Sequence, residues 1–145
     1  MAGRRHHQPD RRGVGRGVVI LADTHAWIWY VNADSRLSGP ARAALEREDL
    51  GIAGISLWEV ALLSQGGRIR LDGGALHWIQ SAVNLAQTSI LHFTPEIAVL
   101  SAGFGDTLHR DPADRIIVAT ALHHGTRLVT ADRAITQSGL VRTVW

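Results

Sequence analysis

VVILAD at residues 18–23 decides the fold. Five consecutive apolar residues (18–22) make a strand with no polar face, the signature of a parallel strand covered on both sides. The run stops at Asp23, and THAWIWY at 24–30 then begins a helix. The arrangement returns near the other end of the chain, where RLVT at 127–130 reads as a strand and Ala131-Asp132 as its exit. Between them strands and helices alternate. Pro40 sits in the first turn of a short amphipathic helix, ARAALERE at 41–48. A strand at 50–55 leads through Ser56 into a helix at 57–63 that Gly66-Gly67 ends. A brief extended piece at 68–71, an amphipathic helix at 76–86 and a strand at 90–93 follow. Thr94-Pro95 and Asp111-Pro112 each read as a cap followed by proline at the first helical position. The second of these helices runs to about His124 and is broken by Gly125, and a last strand lies at 140–144. Such alternation predicts an α/β domain with a mostly parallel sheet between helical layers.

The chain of 145 residues suits one core. Its formal charge of +2 is unevenly spread: Arg4, Arg5, Arg11, Arg12 and Arg16 crowd the start against Asp10 alone. Residues 1–17 read as a disordered basic extension, or as an upstream-extended start, and 18–145 as the folded domain. With no cysteine, disulfides, zinc–thiolate sites and thiol nucleophiles are excluded. The absence of lysine removes the GK[ST] phosphate loop. No apolar run is long enough to span a membrane, and no secretory signal is present, so a cytoplasmic location is expected.

Four acids stand where strands end or helices begin: Asp23, Glu59, Asp114 and Asp132. Each has a structural reading beside the functional one. Asp23 and Asp132 are placed to cap the helices after them. Glu59 follows Ser56 by three residues, which matches a capping box, yet shares a helix face with Leu62 and Leu63. Asp114 is an acid in a first turn, common for dipole reasons, with Asp111 as the cap. The helix that follows, IIVATAL at 116–122, is nearly all apolar, which brings Asp114 toward the interior. Gathered at one sheet edge, the four would repel strongly without cations. Oxygen donors favour Mg²⁺, with Mn²⁺ as a substitute, and such an ion activates water for attack on phosphorus.

Around them, His25, Arg110 and Arg115 are candidate substrate contacts, and His109 flanks the same edge. A solvated helix end or an ion pair explains these arginines equally well. Trp27, Trp29, Tyr30 and Trp58 divide between core packing and a surface for self-association or a partner helix.

LADTHAWIW at 21–29, ISLWEVALL at 55–63, HRDPADRIIVATAL at 109–122 and LVTADRAI at 128–135 together resemble a PIN domain, more narrowly a VapC-type toxin of a bacterial toxin–antitoxin pair. The resemblance implies a three-layer α/β/α sandwich around a parallel sheet of four or five strands. It implies a Mg²⁺-dependent endoribonuclease whose conserved quartet falls on Asp23, Glu59, Asp114 and Asp132. Asp23 and Asp114 would be direct ligands, with Glu59 ligating directly or through water and Asp132 the loosest member. A homodimer and a cognate antitoxin covering the acidic site are implied partners, with Trp27 and Trp29 as contacts. The arginine-rich extension departs from the family pattern. Alternatives are a PIN nuclease of RNA processing or of DNA without an antitoxin, and a non-enzymatic binding module. A haloacid-dehalogenase-type phosphatase is disfavoured, because it needs an aspartate where His25 stands and a lysine.

Overall fold

In the computed structural model, which describes residues 19–85 and 88–145, the apolar run after residue 18 is the central strand of the sheet. Five strands, β1 (Val19–Ala22), β2 (Asp49–Ala53), β3 (Ser89–Leu91), β4 (Leu128–Val129) and β5 (Thr143–Val144), lie in the order β3-β2-β1-β4-β5, all parallel. The edge strands β3 and β5 have three residues and two. Ile20 and Ala22 face one layer and Leu21 the other, so β1 is buried on both sides, as an unbroken apolar strand requires. Gly51 permits close approach of β2 to β1: a Cβ there would stand 2.6 Å from Val19 Cγ1.

One layer holds α1 (Thr24–Val31), α2 (Gly39–Arg47), α3 (Gly54–Gln65) and α4 (Ala75–Leu85). The other holds α5 (Pro95–Ala102), α6 (Pro112–His124) and α7 (Arg133–Ser138). The result is the three-layer α/β/α sandwich. Thr94 and Asp111 cap α5 and α6 ahead of their prolines, and Gly125 ends α6 in the left-handed conformation at φ 62°.

The structure corrects three expectations. Residues 68–71 form no strand. The helix expected from 57 begins at Gly54, directly behind β2; its N-cap is Ala53, which makes no side-chain cap bond, so Ser56 is a buried helical residue and not half of a capping box. Trp27 is fully buried, packed edge-on to Trp78 with ring centroids 5.0 Å apart, and cannot contact a partner. The charged extension at 1–17 and the helix end at residue 86 lie outside the described residues. Among the described residues no helix is long and apolar enough to cross a membrane.

Candidate functional site

The acids reach one cavity by separate routes. Asp23 follows β1 directly, and its carboxylate caps α1 by accepting from the Ala26 N–H at 2.8 Å. Asp132 follows β4 and caps α7, accepting from Ala134 and Ile135 at 2.8 and 3.2 Å. Ala22 stands opposite Val129 in parallel register, so these two strand exits emerge side by side. Glu59 comes from the second turn of α3. Asp114 is the third residue of α6, where its N–H donates to the Asp111 cap at 3.0 Å. Asp23, Glu59, Asp111, Asp114 and Asp132 all line a cavity of about 560 Å³. Capping and site lining therefore coexist in Asp23 and Asp132.

Three hydroxyls hold the acids in place. The buried Thr24 hydroxyl donates to Glu59 Oε1 and lies 2.9 Å from the buried Ser56 hydroxyl. The Thr130 hydroxyl oxygen accepts from the Asp132 N–H at 3.0 Å, and the same side chain works to lower the Asp23 pKa. The sequence reading missed Thr24 and Ser56 as site residues; a buried hydroxyl one position after a strand-end acid is the signal that would have marked Thr24.

Charge is held under stress here. Burial pushes the Asp23 carboxyl up to about 6, against the opposing Thr130 and Ala26 hydrogen bonds and His25, with Asp114 adding repulsion. Glu59 is raised by burial first and then by Asp114 and Asp111, against its bond from Thr24. Asp114 is raised by burial, with Asp111 and Asp132 repelling it, while His109 counters. Desolvated carboxylates that repel one another favour a cation among them.

His109 supplies part of that counter-charge. Its Nε2 lies 2.7 Å from Asp114 Oδ2, and this hydrogen bond raises the histidine's own pKa. One ligand atom each from His109, Asp114 and Asp132 lie within 4.8 Å of one another, a spacing suited to one metal ion. Asp23 and Glu59 share the cavity but not that trio. Two carboxylates and one imidazole are a donor set that could hold a divalent cation.

The arginines divide differently from expectation. Arg110 and Arg115 line a separate cavity of about 370 Å³ with Gly105 and Asp106. Arg115 donates through Nε to the His109 carbonyl at 2.9 Å and through Nη2 to those of Gly105 and Leu108 at 2.5 and 2.7 Å, pinning the loop that presents His109. The cations lining the acidic cavity are instead Arg36 and Arg68, with the exposed His25 and Trp29 beside them. Both arginines come from irregular segments, where periodicity gives no warning.

A model of the PIN domain family matches residues 20–138. Ribonuclease VapC22 of Mycobacterium tuberculosis is 38% identical over 130 residues, which cover 88% of this chain and 98% of that protein. The crystal structure of VapBC2 from Rickettsia felis, bound to a DNA fragment from its promoter, superimposes with a TM-score of 0.65 at 12% identity, covering 87% of this chain and 97% of the matched one. Mycobacterium tuberculosis VapC20, described as a Sarcin-Ricin loop cleaving toxin, gives 0.64 at 19% identity, covering 84% and 96%. At these identities the two structures speak to the fold alone.

Proposed function

Because the chain belongs to the PIN-domain family, in its VapC-type branch, we propose that it is a Mg²⁺-dependent endoribonuclease acting as the toxin of a toxin–antitoxin pair. The observation that carries this reading is the convergence of Asp23, Glu59, Asp114 and Asp132 in one cavity, with Asp23, Glu59 and Asp114 half-buried and held above their ordinary pKa. The name of the 38% identical relative, a ribonuclease, supports the substrate class. The catalytic unit lies within residues 18–145.

In this reading Asp23, Asp114 and Asp132 would hold a divalent cation, Mg²⁺ or Mn²⁺ in its place. Such an ion would supply positive charge to the phosphate oxygens and would make the attacking water more acidic. Glu59, fixed by Thr24 and made more basic by its surroundings, takes the proton from the attacking water. The water oxygen bonds phosphorus, the phosphodiester P–O bond opposite it breaks, and the departing oxygen takes a proton from solvent. His109 holds Asp114 in orientation through its 2.7 Å bond. His25 stands exposed at the rim, where it meets the strand.

An antitoxin partner is the reading that membership of the VapC-type branch supports. A homodimer fits the apolar side chains left exposed on α3 and α5, including Trp58, Leu62, Val99 and Leu100.

The test is cleavage of end-labelled total RNA by the purified protein with Mg²⁺ or Mn²⁺, beside EDTA and Asp23→Asn controls. Discrete fragments that vanish in both controls support the proposal. Intact RNA from folded, metal-loaded protein across several RNA pools, with DNA cut instead, would overturn the substrate class.

A further inference from the structure

A cavity of about 360 Å³ shares His25, Trp29, Arg36, Leu63 and Arg68 with the acidic cavity and continues to Arg70. The two form one groove whose charge reverses along its length. At one end stand Asp23, Glu59, Asp111, Asp114 and Asp132; at the other, Arg36, Arg68 and Arg70 face, among the described residues, the single acid Asp34.

The three arginines are not equivalent. Arg36 is gripped by both oxygens of Asp34, at 3.1 Å through Nε and 2.7 Å through Nη2, and its Cζ lies 5.0 Å from the centroid of the Trp29 ring. Trp29 is itself braced by Trp145 and His25, each with ring centroids 5.8 Å away. The guanidinium is thus a fixed plane with its charge already countered, yet the side chain is 67% exposed. A neutralised plane favours stacking over phosphate capture. Arg68 and Arg70 are exposed and, among the described residues, have no carboxylate within 4.0 Å. Their charge is available to a phosphate.

We infer that this basic limb is a subsite for a nucleotide of single-stranded RNA flanking the cleaved bond, with its base stacked on Arg36 and His25 and its phosphate held by Arg68 and Arg70. Only an unpaired base presents a free face to such a platform, so paired RNA is excluded from the limb. The inference rests on the nuclease reading for the position of the cleaved bond, but the binding it describes is independent of cleavage.

The experiment measures fluorescence anisotropy of a short, unstructured, fluorescein-labelled RNA with the full chain carrying Asp23→Asn, in Mg²⁺ across a salt series. Adding Arg68→Gln with Arg70→Gln weakens binding about tenfold or more and lowers the log–log salt slope by about 0.7, the loss of one phosphate contact on a single strand. Adding Arg36→Gln weakens binding about fivefold or more with little change in slope, as loss of a stacking contact does. Thermal melting of each variant confirms folding. Unchanged affinity and slope in folded variants would overturn the subsite. So would duplex RNA bound as tightly and with the same dependence on these arginines, or a glutamate-rich peptide that needs them while RNA does not. Failure of the nuclease reading looks different: RNA held through Arg68 and Arg70 but never cut by the parent protein.

Discussion

The Thr24 hydroxyl, at the first turn of α1, donates to the carboxylate of Glu59, 35 residues later on α3. A helix that begins at a strand-end acid therefore fixes an acid on another helix. A hydrogen bond to a charged group is worth about 1.5–3 kcal/mol. Thr24→Val keeps the buried shape and removes that bond. RNA cleavage is expected to fall roughly tenfold or more, equivalent to about 1.4 kcal/mol of lost transition-state stabilisation. Wild-type cleavage rates from the folded variant would rule out a positioning role for Thr24.

Asp23→Asn separates the site's chemistry from its scaffold, because asparagine caps a helix about as well as aspartate. The folded carboxyl sits near 6, above its ordinary 3.8. Between those values the folded state binds more protons than the unfolded one, so stability contributed by Asp23 falls as pH rises. In EDTA the variant is expected to match wild type near pH 4. By pH 7 it should exceed it by about 1–2 kcal/mol, less than the full shift implies because the carboxylate is partly exposed. Denaturant melts across pH check this; a variant less stable than wild type at pH 7 contradicts it.

Divalent cation should stabilise the folded chain through the same acids. At Mg²⁺ or Mn²⁺ a hundredfold above its dissociation constant, the gain is about 2.7 kcal/mol. Asp114→Asn and Asp132→Asn are each expected to reduce the rise in Tm sharply, and EDTA to abolish it in wild type. An equal rise in both variants would place the ion elsewhere.

Arg115→Gln tests whether this arginine holds a loop or a phosphate. Its Nε and Nη2 already serve three carbonyls. The variant is expected to lose about 1–3 kcal/mol of stability while keeping the salt slope of RNA binding. A stable variant with a shallower slope would instead identify a phosphate contact.

Trp27 fills the core beneath α1 with no exposure, edge-on to Trp78, whose indole N–H donates to Asn32 at 2.9 Å. Trp27→Ala is expected to cost about 3–5 kcal/mol by calorimetry. A loss below 1 kcal/mol would require the surrounding side chains to close the space, which close packing opposes.

What the sequence disclosed depended on how local each cause was. The apolar runs ending at Asp23 and Asp132 and the proline-marked start of α6 are local signals, and they located the sheet centre and three of the four acids. Ser56 misled because the spacing to Glu59 matches a capping box, whereas α3 starts at Gly54 with no gap after β2 and leaves Ser56 inside. Trp27 and Trp29 are indistinguishable in a helix that is apolar all round; only the packing of α4 decides which is covered. Arg36 and Arg68 enter from loops, and Arg115 turns back to a loop that precedes it, so neither relationship has a period to read.

The brevity of β3 and β5 limits how copies of this chain meet. Edges of three and two residues expose too few N–H and C=O groups to template another strand. Joining these edges sheet to sheet is disfavoured, and assembly across helix faces, where Trp58, Leu62 and Val99 stand exposed, is favoured. A partner is thereby chosen by side-chain shape, which a few substitutions can redirect, and not by backbone pairing, which would accept almost any extended chain.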